Sequence, residues 1–240
     1  ALTISTGHFK LNNSSNAVTL TIGTTSAAGS IVNNGTLSVD NSGTNKPTVQ
    51  GASSLYPAVC TGTDWDWNAN SAADWKLANL DYQIALTTGS GSASEKITLT
   101  GDCEFDAVTV SSGDTLDLNG QRAECSGNLR IESGGAMKST GGGLIVGAAD
   151  VKILGSAEGM HDGDVNMIVS GGTHDWRNGA ADGAAPWCRK VLINGNITHE
   201  DQLGGSSGNH NYNPESVIVG NGKLTQSGGH AYLKDLTIAT

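Results

Sequence analysis

Residues 108–120 read Val-Thr-Val-Ser-Ser-Gly-Asp-Thr-Leu-Asp-Leu-Asn-Gly, and residues 129–141 read Leu-Arg-Ile-Glu-Ser-Gly-Gly-Ala-Met-Lys-Ser-Thr-Gly. Set one above the other at a shift of 21, Val108 meets Leu129, Val110 meets Ile131 and Leu116 meets Met137. The turns coincide too: Ser112 with Ser133, Gly113 with Gly134, Gly120 with Gly141. A weaker third copy follows at a shift of 22, where Val151 and Ile153 extend the two aliphatic columns and Gly155 falls in the turn. Each copy is an alternating triplet, a Gly/Ser turn and a second alternating triplet, the two-residue period of a half-buried strand. One copy cannot cover its own apolar face, whereas copies stacked along an axis bury it in a continuous column. The period therefore predicts an all-β chain, a parallel β-helix or solenoid with coils of about 21–22 residues. An antiparallel sandwich or jelly roll is the competing architecture, and the match of two successive strands with both turns disfavours it.

Working outward at the same shift, Cys103, Cys125 and Val146 form a further column at 22 and 21. Small apolar side chains suit such a column, so the cysteines read as buried thiols rather than ligands. Cys60 and Cys188 complete the set of four, too few and too scattered for a disulfide scaffold, and there is no Cys-x-x-Cys. If any bridge forms, Cys103 and Cys125 are the pair to test.

Composition points the same way. The 240 residues include 34 glycines, with charged residues at 15% and aromatics at 5%, which favours many short strands and turns over long helices. A net charge of -10 excludes an extended phosphate-binding surface, so no nucleic-acid partner is expected. No run reaches the 18 apolar residues of a membrane helix, and Ala1-Leu2-Thr3-Ile4 lacks the layout of a signal peptide. The expectation is a protein made in a cytoplasm, with no membrane partner.

Three regions are expected. Residues 1–50, polar and rich in Thr, Ser and Asn, read as a β-rich docking region or arm, with strands at Leu2–Ser5, Val18–Ile22 and Thr36–Val39. Residues 51–95 read as a cap: Ser71-Ala72-Ala73-Asp74 has the form of a capping box, and Trp75, Ala78 and Tyr82 follow at helical spacing, predicting one short helix over 72–82. Residues 96–240 read as the solenoid, with long loops at 161–215.

Candidate chemistry is sparse. Trp65, Trp67, Trp176 and Trp187 are candidates for stacking on a glycan, although clustered tryptophan also serves packing. Asp162 and Asp164, in His161-Asp162-Gly163-Asp164, are candidate cation ligands, but the spaced ligands and closing glutamate of an EF-hand are missing. Zincin, hydrolase-elbow, P-loop and dinucleotide motifs do not occur, so no cofactor and no enzymatic activity are expected. Glu104, Asp106, Asp114 and Asp117 are the acids that coil stacking would bring together if polysaccharide cleavage were the task. Thr19-x-Thr21 and Thr98-x-Thr100 do not recur coil after coil, so a flat ice-binding array is absent.

The coils at 108–120 and 129–141, with the Gly/Thr/Asn-rich strands before them, resemble the β-solenoid virion proteins of tailed bacteriophages: capsid decoration proteins, fibres and spikes. The resemblance covers mainly residues 96–160. It implies a non-enzymatic, stable surface protein, commonly a homotrimer, displayed on the virion and attached to a major capsid protein or to tail components. A host-surface glycan is the further contact such proteins make. No site residue is carried over, because these families share architecture rather than a residue motif.

Overall fold

Runs in which every second residue is aliphatic become strands here because each finds a like run one coil above and one coil below. The computed structural model describes residues 1–5, 8–12, 18–34, 36–40, 47–62, 73–88, 94–139, 141–158, 165–175, 190–200, 216–228 and 235–239. Among these the chain is all-β, has no helix, and winds as a parallel β-solenoid with three faces.

The first face runs without interruption from Leu2–Ile4 through Ser30–Asn33, Ala58–Gly62, Leu80–Thr87 and Cys103–Val110 to Arg122–Cys125. It continues through Gly143–Gly147, Val165–Val169, Lys190–Ile193 and Ser216–Val219 to Leu236–Ile238, giving eleven strands, each parallel to the next. The second face holds Leu129–Ile131 and Val151–Ile153 beside the latter half of Cys103–Val110, then Thr173–His174, Asn196–His199 and Lys223–Gln226. The third face stacks Thr19–Thr24, Thr48–Gly51, Ala73–Ala78, Glu95–Leu99, Thr115–Asp117, Ala136–Lys138 and Ser156–Glu158.

The repeat read from residues 108–153 is the register of the molecule. Val108 lies beside Leu129 and Leu129 beside Val151; Val110, Ile131 and Ile153 form the next column, and Leu116 lies beside Met137. All eight side chains are at most 1% exposed. Asparagine turns two of the corners: Asn79 and Asn119 adopt φ of 54° and 47°, a left-handed conformation that asparagine tolerates better than most residues. Asn119 is also tied across the stack, donating from its side chain to the Leu99 carbonyl at 3.0 Å.

Two expectations are corrected. The helix over 72–82 is replaced by the strands Ala73–Ala78 and Leu80–Thr87. Trp75 and Leu77 point inward on the third face, Asn79 turns the corner, and Leu80 and Tyr82 point inward on the first. The corner resets the alternation, so inward residues fall at spacings that imitate a helical face. Parallel neighbours on both sides then outweigh the capping signal. Tyr82 stacks on Phe105 with ring centroids 5.3 Å apart, within the pile of coils rather than at its end.

The cysteine column is likewise out of the expected register. Cys103 lies beside Ala123, and Cys125 beside Phe105 and Gly147. Val146 pairs with Glu124 and sits on the outer side of its strand, half-buried between inward Ile145 and Gly147. The corner between Cys125 and Leu129 is longer than the corner between Phe105 and Val108, although both pairs of residues lie side by side in the ladder. The coil from Phe105 to Cys125 is correspondingly shorter than the coil from Val108 to Leu129, and one shift cannot align both columns.

Cys60, Cys103 and Cys125 are free and buried. Burial pushes the Cys103 and Cys125 thiols up to about 12 and raises Cys60 further in the same direction. Thiolate is the reactive form, so these groups are inert while the coils stay wound. In a Cys188→Ser variant, a disulfide reagent at pH 8 is expected to label none of the three in the native state and all three in denaturant. Fast labelling of native protein would contradict this packing.

Most strands of residues 1–50 join the same ladders. Leu2 lies beside Ile31 and Ile31 beside Cys60 on the first face, and Leu20 lies beside Val49 on the third. His8–Asn12 and Thr36–Asp40 pair in parallel with each other. The coils from Leu2 to Ile31 and from Ile31 to Cys60 are longer than those of the repeat, and the added length is taken up between the strands.

Candidate functional site

Alternation along the first face sends Asp81, Glu104 and Glu124 outward from three successive coils. The register places Asp81 beside Glu104 and Glu104 beside Glu124. Neighbouring rungs of a sheet are about 4.8 Å apart, so the three carboxylates form a short ladder along the axis. Gln83, Asp106 and Ser126 follow two residues further along their strands. With the backbone over buried Tyr82 and Phe105, these residues line an open groove of about 250 Å³.

The groove is polar and partly charge-compensated. Arg122 forms an ion pair with Glu124 and lies 4.0 Å from Glu104. The Arg122 backbone N–H donates to the Asp102 carboxylate at 2.9 Å, which fixes the start of that strand. Gln83 donates to Asp81 at 3.2 Å, and Ser126 donates to Asp106 at 3.4 Å. Asp81, Asp106 and Glu104 thus outnumber the single guanidinium, and the groove favours cationic groups or hydroxyl donors such as those of a sugar. Among the described residues no three His, Cys, Asp or Glu side chains are grouped to hold a metal ion.

Of the acids singled out from sequence, Glu104 and Asp106 enter this groove, while Asp114 and Asp117 do not. Asp114 is 2% exposed at a corner, where its carbonyl accepts from the Ala136 N–H at 2.8 Å. Asp117 pairs with Lys96 at 2.9 Å and accepts from the Asn119 N–H at 3.1 Å, a structural role at the next corner. Asp81 and Glu124 are not among the acids the sequence singles out. Their alignment follows only from the unequal lengths of the coils that join them to Glu104. Trp65, Trp67, Trp176 and Trp187, and the candidate cation ligands Asp162 and Asp164, lie outside the described residues. Trp75 is fully buried and offers no ring to a ligand.

Comparison with protein-family models, with curated proteins and with solved structures finds no match.

Proposed function

We propose that this chain is a non-enzymatic structural protein of a virion surface, a capsid decoration protein or else a fibre or spike component of a tailed bacteriophage. The observation that carries the reading is the uninterrupted parallel stack: eleven first-face strands run in one ladder, the first ten over one apolar interior, an architecture suited to durable display rather than to a hinged active site. The acidic exterior supports it as well, since a net charge of -10 keeps dense copies soluble and repels packaged nucleic acid. In this proposal the chain is made in the host cytoplasm, assembles as a homotrimer, and docks on the major capsid protein or on tail components.

A second reading, a carbohydrate-binding or depolymerising spike or adhesin, is favoured by the groove of Asp81, Glu104, Asp106 and Glu124. Neighbouring rungs bring these acids side by side in one groove, and a pair of carboxylates flanking the bond is what glycoside hydrolysis requires.

One measurement separates the readings: quantitative mass spectrometry of purified particles from the source lysate, counting this chain against the major capsid protein. Hundreds of copies are the expected result for decoration. A handful makes it a spike or fibre, whose groove is then tested with Glu104→Gln and Asp106→Asn on host glycans. Absence from particles overturns the virion reading and leaves the adhesin.

A further inference from the structure

One inward column of the second face changes character along the axis. It begins with Val108, Leu129 and Val151, and the pairing of Lys152 with Asp175 places His174 next in line. His199 lies beside His174, and Gln226 beside His199. Both histidines are 0% exposed. Two imidazoles are therefore stacked at rung spacing, about 4.8 Å, in a column that is aliphatic for the preceding three coils. The His174 Nε2–H donates to the Gly171 carbonyl at 2.7 Å, which places a proton on Nε2.

The described charges around the pair are of both signs. On its own strand His174 is followed by Asp175, 2% exposed, which acts electrostatically on Arg130. The coil before it contributes Asp150 and Lys152, opposite in sign. The coil after it contributes His199 itself and Glu200, already paired with Lys152 at 3.0 Å. From the following strand come neutral Gln226 and exposed Lys223. The first-face strands facing the interior at this level present Val165, Met167, Val169, Val191 and Ile193. Burial holds His174 below the ordinary histidine value, offset in part by the Gly171 bond and by Asp150, and His199 pushes in the same direction as burial.

We propose that the His174–His199 stack is an acid-sensitive latch: protonation of the pair releases the strands Val165–Val169, Thr173–His174, Lys190–Ile193, Asn196–His199 and Lys223–Gln226 while the coils from Cys103 to Lys138 stay wound. The sign follows from linkage. A histidine whose folded value is depressed binds protons more readily once its coil opens, so the closed form is fully favoured above the ordinary value near 6.5. It loses ground as pH falls through that value, and the loss levels off below the folded one. The second proton costs more than the first, because two like charges would then share one rung spacing. This device belongs to the chain itself and does not depend on the virion assignment.

Hydrogen exchange with mass spectrometry at pH 7.5 and pH 5.0, corrected for intrinsic rates, tests it. Protection over 165–175, 190–199 and 216–226 is expected to fall by more than about threefold at the lower pH, the direction that a depressed His174 dictates. Protection over 103–138 changes by less than about threefold, because solenoid coils couple mainly to their nearest neighbours. The His174→Leu/His199→Leu variant is expected to lose this contrast. A uniform change along the chain, or a contrast that survives in the folded double variant, overturns the proposal. If the double variant does not fold, imidazole NMR of the unaltered chain decides. A His174 imidazole that gains its proton only together with the onset of exchange supports the latch, and one that titrates like a free histidine without opening refutes it.

Discussion

Trp75→Ala is expected to lower the stability of the chain by about 3–5 kcal/mol, the range for removing a buried tryptophan. Trp75 is 0% exposed and lies beside Ile97, in the inward column that continues through Leu116 and Met137. The next inward column, Val49, Leu77 and Leu99, comes from three successive coils and is 0% exposed throughout, so the vacated volume cannot be filled by one side chain turning in. A stack of coils holds together through contacts between neighbours, so a cavity in one rung also weakens its links to the rungs on either side. Urea unfolding followed by far-ultraviolet circular dichroism should show the loss, either as a lower midpoint or as one transition dividing into two. Exchange should rise most over 48–51, 75–78 and 95–99. A loss below about 1 kcal/mol would mean that Trp75 is not in the core. Leu55→Ala is the control, since Leu55 is 82% exposed and surface changes stay within about 0.5 kcal/mol.

The same residue shows where a sequence ceases to be legible. From Val108 to Ile153 successive coils are nearly equal in length, so like positions recur visibly and the pairing of Val108 with Leu129 and Leu129 with Val151 can be read directly. Elsewhere the coils vary with the corners. Those from Leu2 to Ile31 and from Ile31 to Cys60 are much longer, and those from Val169 to Ile193 and from Ile193 to Val219 differ from the repeat and from each other. The period is erased although the strands persist. Around Trp75, the reset of alternation at Asn79 produces a false helical spacing. At Cys103 the shorter coil puts Ala123, not Cys125, beside it. The groove suffers from the same cause: Glu104 and Asp106 are visible as outward acids, but Asp81 and Glu124 join them only through two coils of unequal length. Strands are encoded by local alternation, which sequence displays; their register is set by corner geometry, which composition scarcely constrains.

That division predicts a second large effect at a corner. Gly62 closes the strand Ala58–Gly62 with φ of 122°, and its register partner is Asn33, 0% exposed. A Cβ at position 62 would overlap the backbone carbonyl of Asn33. Two costs then combine: an L-residue in a conformation reserved for glycine, about 1–3 kcal/mol, and an overlap with main chain that no rotamer relieves, about 1–3 kcal/mol more. Gly62→Ala is therefore expected to destabilise the first coils by roughly 2–6 kcal/mol. The damage is directional. The strands Leu2–Ile4 and Ser30–Asn33 are joined to the described stack through Ala58–Gly62 on this face, so lifting Asn33 away frees both, while Val108, Leu129 and Val151 keep their neighbours. Exchange should rise over 2–5 and 30–34 and stay unchanged over 103–153. Gly141→Ala provides the contrast: no atom lies within 4 Å of a Cβ there and φ is not positive, so stability should hold or rise by up to about 1 kcal/mol as the unfolded chain loses freedom. Equal effects at the two positions would show that corner geometry does not set the register of this solenoid.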